Sequence, residues 1–325
     1  MKYFNLLIFY ITVITLLFYS NTVGAQDLET EQDTTTLPAA ASGKKFHLGL
    51  FVGTYFANKY TANMYDGYGF DINGIKNDFA NSQMRSFMNY YGGHSSNPSN
   101  SVNTGTTTGT DLVAQTLNVS PGDWSFGPTD MPYDLTYNMT YLVGFNGSYN
   151  LNKTSSIIFN VNGTKLTVNG KFTIATTNTV NGSPSQTNLR QGTITGGEQR
   201  LMFQVGYQKV LGTNDKVNFF MEGGLNVVMS KFLKNQAMIQ SSNPNVPPLI
   251  MDLASIYNTS QYNAFHGQLT GVGVGIFAGA GIHLTINPKY TIQVLYNPSY
   301  DKINLGDTPS YKLQNGFGLR FYYNL

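Results

Sequence analysis

Residues 268–286 read QLTGVGVGIFAGAGIHLTI, and the alternation inside them decides the fold. Val272, Val274, Ile276, Ala278, Ala280, Ile282 and Leu284 occupy every second position. Gly271, Gly273, Gly275, Phe277, Gly279, Gly281 and His283 lie between them. A period of two belongs to a strand. As a helix the same stretch would carry several interior glycines at roughly 1 kcal/mol each against alanine. As a strand it has one oily face and one face of almost no side chain, which suits the wall of a membrane barrel.

Outward from this strand, the chain is punctuated by similar alternation. In Phe46–Phe56, residues Phe46, Leu48, Leu50 and Val52 share a face opposite His47, Gly49, Phe51 and Tyr55. Leu135–Tyr149 is read as a second strand, with Leu135, Tyr137, Met139, Tyr141, Val143 and Phe145 together. Ile157–Ile174 is a third. There Ile157, Phe159 and Val161 hold one parity while Leu166, Val168, Phe172 and Ile174 hold the other. A bulge at Asn162-Gly163 accounts for that slip; an Asn-Gly hairpin is the competing reading, and would add strands. After a polar stretch of about twenty residues, read as a loop, come Arg200–Leu211 and Val217–Met229, then the glycine strand, Tyr290–Asn297 and Tyr311–Leu325. The connections alternate long and short, as expected for an all-β, eight-stranded antiparallel transmembrane barrel with long outward loops and short periplasmic turns. Tyr137, Tyr149, Tyr207, Tyr290 and Tyr323 fall near strand ends, where interfacial girdles belong.

Two long inserts, 57–133 and 233–266, break the pattern. Ile75–Tyr91 is a candidate helix capped by Asp71 or Asn73. Its apolar residues do not form one stripe, so either it breaks near Asn81-Ser82 or it is contacted on two sides. Residues 93–110 read as a mobile loop. Pro247-Pro248 opens a second candidate helix using Leu249, Ile250, Leu253, Ile256 and Tyr257.

The first 25 residues read as a signal peptide, from Lys2 through the apolar Leu6–Tyr19 to Val23-Gly24-Ala25, with cleavage before Gln26. Residues 26–44 are polar and aperiodic, a disordered tail. No cysteine is present, which excludes disulfides and thiolate metal sites. Lys and Arg number 19 against 17 Asp and Glu, so no nucleic-acid footprint is visible. Charged residues make up 11% and aromatic residues 14%, a balance that suits a lipid-facing wall better than a solvated surface.

The last residues, Gly318-Leu319-Arg320-Phe321-Tyr322-Tyr323-Asn324-Leu325, carry alternating Leu319, Phe321 and Tyr323 before an apolar end. This resembles the insertion signal of bacterial outer-membrane proteins, with Leu325 where phenylalanine is usual. After residue 45 the chain looks like a small barrel of the OmpA/OmpX-like class. The Ala25-Gln26 junction and the Asn/Tyr-rich composition resemble proteins of Bacteroidota. The resemblance implies placement in the outer membrane, contact with its lipid and handling by the barrel assembly machinery. It assigns no activity.

Inward-facing charge is the remaining chemistry. Arg200, Glu222, His283, Arg320 and His47 take lumen positions, and burial requires Glu222 to pair with Arg320 or Arg200. Gly271, Gly273, Gly275, Gly279 and Gly281 either make room for bulky groups such as Phe51, Phe220 and Tyr322, or leave space for a ligand, lipid tail or folded-in loop. Asp66, Asp71, Asn73 and Asp78 depart from calcium-loop spacing, and no metal or cofactor is expected. His94 and His266 are the histidines on the outer side, and no nucleophile elbow, HExxH or phosphate loop accompanies them. The expectation is a non-enzymatic barrel that binds or scaffolds an envelope protein through its inserts, or, alternatively, forms a narrow channel for small solutes.

Overall fold

The computed structural model describes residues 46–70, 75–93, 109–180, 183–212, 214, 216–253, 270–305 and 311–324 (side chains of 178–187 excepted). The predicted signal peptide, the polar tail, most of the 93–110 loop, Asp71, Asn73, His94, Ile256, Tyr257, His266 and Leu325 lie outside them.

Among the described residues twelve strands occur in chain order: β1 (Phe46–Phe56), β2 (Trp124–Ser125), β3 (Tyr133–Tyr137), β4 (Thr140–Asn150), β5 (Ser155–Val180), β6 (Ser183–Leu211), β7 (Val217–Ile239), β8 (Leu249–Asp252), β9 (Thr270–Asn287), β10 (Tyr290–Tyr296), β11 (Ser299–Lys302) and β12 (Tyr311–Asn324). All pairings are antiparallel, and they close into a ring. β1 pairs β4 and β12, β4 pairs β5, and the order then runs through β6, β7 and β9. β10 and β11 together form the stave between β9 and β12. Pro298, which has no N–H to give, separates them, but its carbonyl still accepts from the Ala278 N–H at 3.0 Å. Eight staves result, as the alternating connections predicted.

The outside of the ring is oily. Phe145 is 70% exposed, Leu225 68% and Tyr141 78%; water would not tolerate such a wall, and lipid requires it. On β7 the outward apolar run from Val217 to Met229 covers about 40 Å of strand, or roughly 30 Å of height at ordinary barrel tilt. A closed, even-numbered antiparallel barrel with short turns at one end and long connections at the other is the architecture of bacterial outer-membrane proteins, and the chain is such a barrel. Tyr149, Tyr207, Tyr290 and Tyr323 are exposed at the short-turn end.

Several sequence expectations change. No bulge or hairpin occurs at Asn162-Gly163: β5 pairs with β4 and β6 through both residues without a shift. Even-numbered residues face inward from Ser156 to Thr176. What changes is the surroundings. Within the membrane β5 turns Asn160, Asn162 and Thr164 inward and Ile157, Phe159 and Val161 outward; beyond it, Lys165, Asn169 and Lys171 turn to water while Leu166, Val168, Phe172 and Ile174 turn into a core. The polar stretch read as a loop is the far half of the β5–β6 ribbon. β7 likewise continues to Ile239, and Leu249–Asp252 pairs with it as a strand rather than forming a helix. Tyr137 points inward, because the ladder between β3 and β5 shifts register and Asn138-Met139 separates β3 from β4.

The candidate helix starts only at Gln83, after the break at Asn81-Ser82, and runs to Tyr91. Ser82 caps it, its hydroxyl accepting from the Arg85 N–H at 3.3 Å. A further helix, Leu112–Leu117, escaped the sequence reading. Asp111 caps it at the Ala114 N–H (2.8 Å), and its other oxygen accepts from Trp124 Nε1 at 2.8 Å. Met84, Met88, Val113, Leu117, Trp124 and Phe126 from the 57–133 insert pack on Phe172, Ile174, Ile194, Ile239 and Met251. The barrel's outer half therefore encloses a hydrophobic core.

Candidate functional site

The lumen is built by the inward positions of the eight staves, and its polar atoms fall into layers. Nearest the short turns is a cavity of about 280 Å³ lined by His47, Gln208, His283, Gln293, Tyr322 and Asn324, among others. His47 Nδ1 lies 2.5 Å from Asn324 Oδ1, and His283 Nδ1 lies 3.1 Å from Gln293 Nε2.

Above it, Glu222 from β7 meets Arg320 from β12 in a two-pronged ion pair of 2.6 and 2.7 Å, fully buried. Gln208 donates to Glu222 Oε2 at 3.0 Å, and the Asn146, Asn160 and Gln204 amides chain onward at 2.6 and 3.1 Å. Parallel donors on a fixed fork explain why arginine serves here. Farther up, Asp301 accepts from Asn226 Nδ2 (2.8 Å) and Ser299 Oγ (2.5 Å).

The third layer holds Arg200. Its partner is Glu198, two residues earlier on the same face of β6, at 2.6 Å, not Glu222. Tyr55, Tyr137, Thr61 and Gln314 surround the guanidinium at 3.0 to 3.3 Å. Into this layer the 57–133 insert sends Tyr65. Its hydroxyl donates to Glu198 Oε2 (3.0 Å) and lies 3.1 Å from the Gly197 carbonyl, while its ring stacks on Phe232 at 5.9 Å. Gly196 gives the ring its seat, since a Cβ there would sit 2.5 Å from Tyr65 Cγ. Burial first, then the Glu198 charge, holds the Tyr65 hydroxyl well above its ordinary pKa of 10.0.

The β9 glycines do face inward. Gly281 gives room to Phe220 and Gly279 to Glu222, and Gly275 lies against Asp301. Gly271 and Gly273 lie under the backbone of residues 302–304, so they accommodate a folded-in segment whose Ile303 and Leu305 are buried. Aromatic packing on glycine, expected for this strand, also recurs elsewhere: Phe51 over Gly53 and Tyr322 over Gly49. Phe321 and Tyr323 face outward on β12, closing onto Leu50 and Leu48 of β1.

Sequence reasoning missed Glu198, Tyr65, Tyr137 and Asp301 as lumen groups. Glu198 was hidden in the stretch read as loop, although two-residue spacing from Arg200 was the available signal. Asp66, one of the loosely spaced acids, pairs with Lys76, and Asp78 accepts from the Asn81 N–H at 3.0 Å. Among the described residues no three metal-ligating side chains converge.

No family model and no curated protein matches the chain. Its structure aligns with OprG, an outer membrane protein of Pseudomonas aeruginosa, at TM-score 0.38 and 8% identity, over 87% of this chain and 97% of that one. Neisserial surface protein A aligns at TM-score 0.32 and 8% identity over 87% and 98%. Ail of Yersinia pestis, crystallised with the heparin analogue sucrose octasulfate, aligns at TM-score 0.28 and 10% identity over 86% and 96%. At such distances the fold assignment rests on the closed ring and its apolar belt.

Proposed function

We propose that the chain is a non-enzymatic outer-membrane barrel of Bacteroidota type that binds or scaffolds an envelope protein through its extracellular headpiece. One observation carries this reading: the described parts of the inserts are packed, not looped. Helix Gln83–Tyr91, helix Leu112–Leu117 and the single tryptophan are locked onto the inner faces of β5–β8. Ordering so much chain costs conformational entropy, and what it yields is a fixed outer surface bearing exposed Tyr60, Tyr90 and Leu112. The lumen supports the same choice over a channel. Two arginine–carboxylate pairs and the Tyr65 side chain cross it in successive layers, and eight-stranded barrels are filled by side chains in any case.

Two measurements test this. Planar bilayers containing the full chain are expected to show no single-channel steps; stable steps would favour the channel. Photo-crosslinkers at Tyr90 and Leu112 in cells should give one discrete protein adduct, and the same crosslinker at lipid-facing Leu225 should not. Absence of an adduct at the headpiece positions would overturn the scaffold reading.

A further inference from the structure

We infer that the β5–β6–β7 wall carries a docking site for a phosphate-bearing lipid of the outer leaflet, held by Lys165, Lys231 and Lys234. The inference rests on the outer-membrane placement above. Its first support is register. Lys165 pairs with Gln199, and Gln199 with Lys231, so two outward lysines share one transverse row. They are two strand spacings apart, roughly 10 Å, a gap that two flexible lysine arms can close on one phosphate group.

The second support is a bulge. The β6–β7 ladder shifts between Gly197 and Glu198, opposite Phe232 and Lys234. Leu233 and Lys234 are therefore both exposed, in succession, while Phe232 and Asn235 face in. Bulges re-aim side chains, and this one turns Lys234 outward. Its stem lies across Gly197 towards β5: a Cβ on that glycine would sit 3.2 Å from Lys234 Cγ.

The third is the absence of competing charge. Among the described residues no carboxylate lies within ion-pair distance of Lys165, Lys231 or Lys234. The outward positions of β5, β6 and β7 around them are Thr167, Gln199, Thr195 and Gln236. The nearest acids on adjoining segments are farther from the membrane. Asp130 accepts from Thr173, Asp134 follows the register partner of Lys171, and Asp252 pairs with Gln236.

What lies beneath identifies the occupant as a lipid rather than a free phosphate. One outward step below the lysine row come Gly163, Leu201 and Met229, then Val161, Phe203 and Val227, then Phe159, Val205 and Leu225. Gly163, directly below Lys165, leaves a shallow groove with Leu201 Cδ1 beside it at 3.8 Å from where a Cβ would be. Charge at the headgroup level above an apolar wall suits a phosphorylated amphiphile with its chains against the barrel.

Native mass spectrometry of the full chain in mild detergent tests the site, using bisphosphorylated lipid A, the same lipid dephosphorylated, and inorganic phosphate as a competitor. The wild type is expected to retain the phosphorylated lipid in preference to the dephosphorylated one, with no displacement by inorganic phosphate. K165Q/K231Q/K234Q should lose retention on the order of a hundredfold, and K153Q/K209Q/K216Q, at the short-turn end, should keep it. Equal retention by the triple variant, equal retention of dephosphorylated lipid, or displacement by free phosphate would overturn the proposal. Heat-modifiable migration and outer-membrane fractionation are read on the same samples. Their loss in the wild type would sink the membrane placement itself, separately from the lipid site.

Discussion

Two guanidinium groups buried in a low-dielectric interior dominate at the scale of single residues. Each is tolerable only because a carboxylate is held against it, Glu222 for Arg320 and Glu198 for Arg200. Removing one partner is worse than removing both. Glu222→Gln is expected to destabilise the barrel by about 3–5 kcal/mol, read as a lower temperature for loss of heat-modifiable migration. The E222Q/R320M double variant should recover much of that loss. A single variant as stable as the wild type would show that the pair is not what secures the lumen. Tyr65 offers a test with a pH sign. Tyr65→Phe leaves Glu198 with Arg200 and Tyr137 but removes one hydroxyl bond, a cost of about 1–3 kcal/mol. Because the folded state keeps the Tyr65 proton above pH 10.0 while the unfolded chain loses it, the stability this group contributes is complete below that pH and declines as pH rises beyond it. Alkaline unfolding curves should therefore be shallower for Y65F than for the wild type.

Among the elements, β9 shows how a strand can be specified by what it lacks. A Cβ on Gly273 would collide with the Lys302 carbonyl, so Gly273→Val should cost at least about 1–3 kcal/mol through displaced backbone. Val274→Ile, one residue on and facing lipid, should leave the unfolding temperature nearly unchanged. The strand was legible in the sequence because both of its faces keep one character over its length. β5 was not, for a physical reason. Its outward face passes from lipid to water between Val161 and Lys165, and its inward face passes from a polar lumen to an apolar core between Thr164 and Leu166. Hydrophobic parity inverts while the backbone continues unbroken, and periodicity alone cannot distinguish this from a bulge. The same blindness turned the polar stretch before Arg200 into a loop, and with it Glu198. Glu222 and Arg320 were legible because the stretches around them, Val217–Met229 on β7 and Phe317–Tyr323 on β12, keep an apolar outer face.

For the molecule as a whole, the membrane boundary inferred from that inversion has a direct test. The chain contains no cysteine, so each introduced thiol reports alone. Three positions separate the compartments. Lys171 lies on the outer face of β5 beyond the apolar belt, Leu225 in the middle of the β7 belt, and Lys289 in the short turn between β9 and β10. In intact cells, K171C should react with a membrane-impermeant maleimide, L225C should not, and K289C should react only after the outer membrane is opened. Labelling of L225C in folded protein would mean that the oily wall meets water. Labelling of K289C in intact cells would invert the barrel and place the packed headpiece in the periplasm. The expected pattern follows from one physical requirement. A closed ring satisfies its backbone internally wherever it sits, so the level of the membrane is set by side chains alone. Here the change of sign along β5, β6 and β7 sets it, at the row of Lys165, Gln199 and Lys231.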